Sequence, residues 1–363
     1  MTLAIFLIIA VILAGIQIAV PFLVKRTVIF GITVPEKHIN NEKLSSFKKK
    51  YSLLVSLLSI ISLVSYAIWV LSSSASEEQT VLIGTVIQFA IILFSFTLYF
   101  YFHGKTLQLK KKMKWGESTK QIQIADLSAR AKDEMLPWYV FLVPILITVG
   151  VIGYTISQYT LLPDQIPTHW GINGEADAFT DKTPVSAVSS PLMLLVMQVM
   201  FLAIIISTKK SGIKLSATAT NASRLRQLTL RKYTSWLLFL TSILLTGMFS
   251  FFQLRTIHPD IVDGTIVMAV PIIFLVITLG STVAFALKVG RSDKRSIDEA
   301  AAGITDYDDD KHWVGGLFYV NKNDPSIFVE KRFGVGWTIN FGNPIGYLII
   351  LIPIAIIILF SFL

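Results

Sequence analysis

The sequence predicts an all-α polytopic membrane protein of about eight transmembrane helices, with a small cytoplasmic β unit before the last helix. Three observations predict it. Hydrophobic residues make up 53% of the 363-residue chain and charged residues only 15%, whereas a soluble domain averages ~25% charged. Eight apolar runs each come close to the ~20 residues that cross ~30 Å of hydrocarbon as a helix. Finally, 30 of the 32 lysines and arginines fall in alternate loops.

The apolar runs are Thr2–Val24, Tyr51–Ser73, Val81–Phe102, Pro137–Leu161, Val185–Ser207, Thr234–Leu254, Thr265–Leu287 and Ile345–Leu363. Loops 25–50, 103–136, 208–233 and 288–343 carry 7, 8, 7 and 8 basic residues, and the other loops hold only Lys182 and Arg255. Short basic loops stay in the cytoplasm. The four rich loops are therefore expected inside and both termini outside the cell membrane. The lipid bilayer is the first partner expected, since each lysine or arginine near an anionic headgroup surface contributes ~1 kcal/mol. No nucleic-acid partner is expected, because the basic clusters hug span ends instead of forming a domain of their own.

The first run reads as a retained helix. A signal peptide needs a positive segment ahead of its apolar core, and here Lys25-Arg26 follows the run. Cysteine is absent, which removes disulfides, thiol catalysis and cysteine metal ligands. Trp69, Trp138 and Trp236, with Tyr51, Tyr99, Tyr101, Tyr154 and Tyr347, fall near span ends as an interfacial belt would. None of the eight runs contains an Asp, Glu, Lys, Arg or His, so an intramembrane proton relay is not expected. Gln17, Gln88, Gln158 and Gln198 read as interhelical hydrogen-bonding groups. Pro144, Pro191, Pro271 and Pro353 read as kinks.

The chain divides into 1–136, with three spans and basic loops, then 137–207, two spans around an outer loop 162–184. Residues 208–290 hold two further spans, 291–343 a linker and the β unit, and 344–363 the last span. Residues 27–36 read as an extended segment stopped at Pro35. Loop 103–136 mixes Lys110-Lys111-Lys112 with Ile122, Ile124 and Leu127 in the manner of a helix lying at the interface. The acidic run Asp306, Asp308, Asp309 and Asp310 reads as a solvated linker. It lacks the glycine and the alternating ligand spacing of a calcium loop.

Aromatic and β-branched runs then flank an Asn/Asp-Pro turn, which reads as a hairpin or three-strand unit. Its candidate residues are Trp313, Tyr319, Asn321, Asp324, Pro325, Gly334, Gly336 and Asn340. Such a unit could contact a cytoplasmic protein partner. Gly334 and Gly336 lack the strand–loop–helix setting of a phosphate cradle and read as a tight turn.

The outer loop carries the most specific pattern, Leu162-Pro163-Asp164-Gln165-Ile166-Pro167-Thr168-His169-Trp170. Pro163 and Pro167 stiffen its exit from the membrane, and Asn173-Gly174 is a turn signal. Trp170 and Phe179 are expected to fold back onto the interface. Pro163, Pro167, His169, Trp170, Gly174 and Asp177 are the candidate ligand-binding residues. His169, with His258 of the next outer loop and nearby carboxylates, has a weak alternative as a metal site; no cofactor is expected.

With Phe179, Asp181 and Lys182 following, these residues resemble a bacterial membrane domain of unassigned function that also occurs in SdpI-type immunity proteins. The resemblance covers roughly residues 137–207 and implies protection against an exported toxic peptide. Residues 313–341, with Phe-Tyr-x-Asn-x-x-Asp-Pro and Lys-Arg-Phe-Gly-x-Gly-Trp-Thr-x-Asn, look like a second bacterial module. The expected function is a non-enzymatic membrane protein that senses or protects against envelope-active peptides, with an extracellular peptide as partner. A small-solute transporter and a membrane metalloenzyme stand as alternatives.

Overall fold

The computed structural model describes residues 2–115, 120–122, 124–125, 132–171, 175–261, 264–294 and 304–360. Among the described residues eight helices dominate: α1 (Thr2–Leu23), α2 (Glu42–Ser72), α3 (Glu77–Lys112), α4 (Leu142–Ser157), α5 (Ser189–Lys210), α6 (Thr220–Ile257), α7 (Gly264–Gly290) and α8 (Pro344–Phe360). Seven helical segments are long and apolar enough to cross a membrane, and α8 is a shorter apolar helix. The fold class is all-α and polytopic, as the composition predicts.

Hydropathy located these helices but not their ends. α2 begins at Glu42 and α6 at Thr220, well ahead of the apolar runs at Tyr51 and Thr234. Charged residues continue the same helix outside the apolar slab, since lysine, arginine and glutamate are good helix formers. Capping sets two starts: Asn41 Oδ1 accepts from the Lys43 amide at 3.0 Å, and Ser76 with Gln79 forms a capping box on α3.

Helices α1, α2 and α3 pack against one another, α4, α5 and α6 do the same, and α7 lies on both α1 and α6. α8 packs on α5. Gln198 of α5 donates to the Thr148 and Thr246 hydroxyls at 2.8 Å, tying α4 to α6. Gln88 departs from the expectation, because its buried amide has no partner among the described residues. Pro144 and Pro191 sit in the first turns of α4 and α5, where no amide bond is lost. Pro271 and Pro353 lie inside α7 and α8. Tyr51 and Tyr99 are fully buried core residues, so they do not belong to an interfacial belt.

The described strands form six two-stranded sheets. At one end of the bundle stands a hairpin of β5 (Gln165–Trp170) and β6 (Ala176–Asp181). The other end collects the rest. β1 (Val28–Ile29) pairs with β2 (Ile32–Thr33), so the expected extended segment is a tight hairpin, turned at Phe30 and Gly31 with positive φ. β3 (Lys120–Ile122) pairs with β8 (Ile304–Asp306), and β4 (Ile124–Ala125) with β7 (Lys214–Leu215). The expected interfacial helix around Ile122 and Ile124 is thus corrected: these residues are β ladder between loops. β-branched isoleucines suit that ladder, and Leu127 lies outside the described residues.

Candidate functional site

The hairpin is held to the bundle at its base. Leu162 and Ile166 bury against Ala187 and Ile257. Lys182 Nζ donates to the Leu162 carbonyl at 2.7 Å, and the Lys182 amide donates to the Asp164 carbonyl at 2.9 Å. Gln253 of α6 donates to the Ala187 carbonyl at 2.9 Å. Pro163 lies in the link ahead of β5, and Pro167 within it opposite Phe179. A two-stranded ladder tolerates proline because its outer edge needs no amide. Asn173 and Gly174 lie outside the described residues; Gly171 and Glu175 on either side are joined by a 2.8 Å backbone bond.

The register slips around His169. Such a bulge re-aims side chains, and here it brings together the residues singled out in the sequence. His169 Nδ1 and Asp177 Oδ1 lie 2.5 Å apart on the solvent side, with both side chains more than half exposed. Trp170 packs on Phe252 of α6 with ring centroids 4.6 Å apart, as expected of a residue folding back. Phe179 does not do so; it stays exposed.

Beneath the hairpin runs a groove of about 390 Å³, within the ~300–1,000 Å³ typical of ligand sites. Trp170, Phe252, Met268, Pro271 and Leu275 form its apolar wall, and Thr168 and His169 its polar rim. Ile5 reaches it from α1, which places the start of the chain at the hairpin end. His258 is elsewhere, with its Nε2 2.8 Å from the Tyr154 hydroxyl. The two histidines therefore have separate partners, and no group of three His, Asp or Glu suited to a metal occurs among the described residues.

At the opposite end, the segment after α7 builds a docked module. β9 (Trp313–Val314) pairs with β10 (Phe318–Tyr319), and β11 (Phe328–Glu330) with β12 (Trp337–Ile339). Gly334 and Gly336, at φ +87° and +126°, make the β11–β12 turn, as their spacing suggested; L side chains rarely adopt either angle. Asn340 is fully buried. Its amide nitrogen donates to the Asn321, Asp324 and Ser326 carbonyls, and its oxygen accepts from the Asn321 and Gly342 amides. One side chain thus closes the Asn321–Pro325 turn onto β12.

Asp324 accepts from the Tyr319 hydroxyl at 2.9 Å and from Lys214. Burial pushes the Asp324 carboxyl up, but the bonds from Lys214, Ser326 and Tyr319 together hold its pKa below the ordinary carboxylate value. Trp313 lies under the Arg332 guanidinium, 4.9 Å from its ring centre. That guanidinium donates to the Gly31 carbonyl at 2.6 Å and pairs with Asp309 and Asp310. Asp310 also bonds Lys110 at 2.6 Å and the Thr33 amide at 3.0 Å. Phe333 packs on Tyr99, 4.1 Å between ring centres.

The acidic run is therefore no solvated linker. Asp306 accepts from the Ala217 and Thr218 amides just ahead of α6, where an anion is favoured, and Asp308 and Asp310 hold Lys110. Sequence reasoning also passed over Arg226 and Glu330, a buried ion pair of this end.

Two family descriptions match parts of the chain. A domain of unknown function (DUF1648) matches residues 146–195, which span the hairpin and its flanking helices; this domain is found in SdpI-like proteins. A family of unknown function (DUF5808) matches residues 322–347, the second half of the module and the start of α8. Neither a curated protein nor a solved structure matches the chain.

Proposed function

We propose that this integral membrane protein is a non-enzymatic peptide-binding protein of the bacterial cell membrane, oriented with the hairpin outside. It would meet amphipathic, cationic, envelope-active peptides and protect the cell from them or report their presence. The groove beneath Trp170 carries this reading. Its apolar wall suits the greasy face of such a peptide, and its mouth lies beside Asp177. Charge agrees, because the loops on the hairpin side hold 8 acidic and 2 basic residues. The match to a domain found in SdpI-like proteins supports a protective role. An aromatic wall with a polar rim offers no activated nucleophile, which supports binding over catalysis.

The test is direct titration of the full-length protein in lipid nanodiscs with a panel of cationic amphipathic peptides. Saturable binding weakened by Trp170→Ala supports the reading. Peptide uptake by protein-containing and empty discs alike would overturn it, as would a groove held only by acyl chains. A deletion strain complemented with the same variants then reports protection.

A further inference from the structure

The module end contains a second cavity, of about 140 Å³, where the module meets the chain after α1 and the segment ahead of α6. Four cations line it: Lys25, Lys214, Lys331 and Arg332. Three acids line it as well, and each is already engaged. Asp306 takes the Ala217 and Thr218 amides, Asp309 takes Arg332, and Glu330 takes Arg226 and Gln227. Lys214 is matched by Asp324, and Arg332 by Asp309 and Asp310. Lys25 and Lys331 have no carboxylate partner among the described residues. The cavity therefore presents two ammonium groups without a carboxylate partner against one carboxylate, Asp306, that is held only by amides and hydroxyls.

We propose that this cavity is a phosphate-binding site, in which Lys25 and Lys331 neutralise the phosphate while the Thr33, Ser216 and Ser326 side chains line the pocket it enters. Phosphate chemistry fits better than a carboxylate ligand. Two lysines act as separate point charges and suit a compact multivalent oxyanion, whereas planar carboxylate recognition favours the arginine fork. Arg332 is committed to the Gly31 carbonyl and two aspartates. Lys331 is exposed and lines the cavity, so its ammonium is open to an incoming anion. Tyr307 and Trp337 along the walls provide faces for whatever the phosphate carries. Because Lys25 lies two residues beyond the end of α1, the phosphate has two accessible sources: a lipid headgroup or a soluble phosphomonoester.

Two arms separate the sources. In the first, the full-length protein in nanodiscs of phosphatidylcholine alone is titrated with inorganic phosphate and with AMP, following tryptophan fluorescence. In the second, retained lipid is identified after reconstitution in discs that contain phosphatidylglycerol and phosphatidic acid. A saturable response in either arm supports the site, and which arm responds names the source. Lys25→Gln and Lys331→Gln should each weaken binding roughly tenfold, the expected loss for one charge-assisted contact. Lys25→Arg and Lys331→Arg should retain most of it, and Lys322→Gln, outside the cavity, all of it. Absence of binding in both arms overturns the proposal, as does a response that chloride reproduces or that survives the double glutamine variant in a protein of unchanged melting temperature.

Discussion

Arg226 of α6 donates to Glu330 of β11 at 2.5 Å, although the two stand 104 residues apart. The same guanidinium reaches the Leu23 carbonyl at 3.1 Å and lies 3.5 Å from Asp293. One side chain thereby joins the ends of α1 and α7 to the docked module, and it is 1% exposed. Replacing it strands two carboxylates, Glu330 and Asp293, in a dry site. Removing one partner of a buried ion pair costs about 3–5 kcal/mol. Arg226→Met should therefore lower the melting temperature strongly, and the Arg226→Met/Glu330→Leu double variant should recover part of the loss. Thermal unfolding of the three proteins in one detergent checks this.

A close backbone contact leads to a second expectation. Gly31 has φ +78° and Gly316 φ +71°, and a Cβ built on Gly31 would lie 2.7 Å from Gly316 Cα. Either alanine would combine left-handed strain with a backbone clash, a cost of about 1–3 kcal/mol. Gly31→Ala should loosen the module without disturbing the helices. Hydrogen exchange should then rise across residues 313–342 and stay unchanged in α4 to α6. The opposite pattern would show that the β1–β2 turn does not hold the module.

How much of this was legible follows from the range of each signal. Hydropathy reads twenty residues at a time, so all eight described helices were visible. The charged extension of α2 through Lys43 and Lys50 was not, because it is helical without being apolar. His169 and Asp177 could be placed together because the Asn173-Gly174 turn signal stands between them in the sequence. The acidic run looked solvated because its partners, Lys110, Arg332 and the amides ahead of α6, come from other parts of the chain. Arg226 looked like one basic loop residue among seven for the same reason. Side-chain pairing across 100 residues leaves no local trace.

Acidity should weaken the module from one side and alkali from the other. The Asp324 pKa is held below 3.8, so the stability it contributes is complete above the ordinary carboxylate value. It is lost as pH falls through the lower folded value. For Lys214, burial lowers the pKa, but the Asp324 and Tyr319 contacts outweigh it and raise the value above 10.5. Its contribution is complete below 10.5 and is lost as pH climbs past the folded value. The contribution of this pair should thus be flat between the two limits. In Asp324→Asn the acid arm should lose its Asp324 component, read from melting temperatures between pH 3 and 8.

Topology is tested by fusion. With the basic loops inside, a reporter active only in the cytoplasm should give signal after Lys210 at the end of α5 and none after Lys182 beside β6. The reverse result would place the hairpin groove in the cytoplasm and end the peptide-binding reading, while leaving the fold intact.

The last expectation separates the groove from the hairpin that roofs it. Trp170 belongs to the apolar wall through its stack on Phe252, whereas Asp177 touches the rim only through His169. Truncating a buried aromatic anchor at a binding site costs ~2 kcal/mol or more, which is roughly thirtyfold in affinity. An exposed charged pair contributes ~0–1 kcal/mol. Trp170→Ala should therefore weaken peptide binding by that larger factor at any ionic strength. Asp177→Asn should weaken it only a few fold, with the difference vanishing at high salt as the charges are screened. Trp170→Phe keeps a ring against Phe252 and should restore most of the affinity. Equal losses for Trp170→Ala and Asp177→Asn, both unrelieved by Trp170→Phe, would mean that the substitutions had unfolded the hairpin. The groove would then be a structural corner of the bundle.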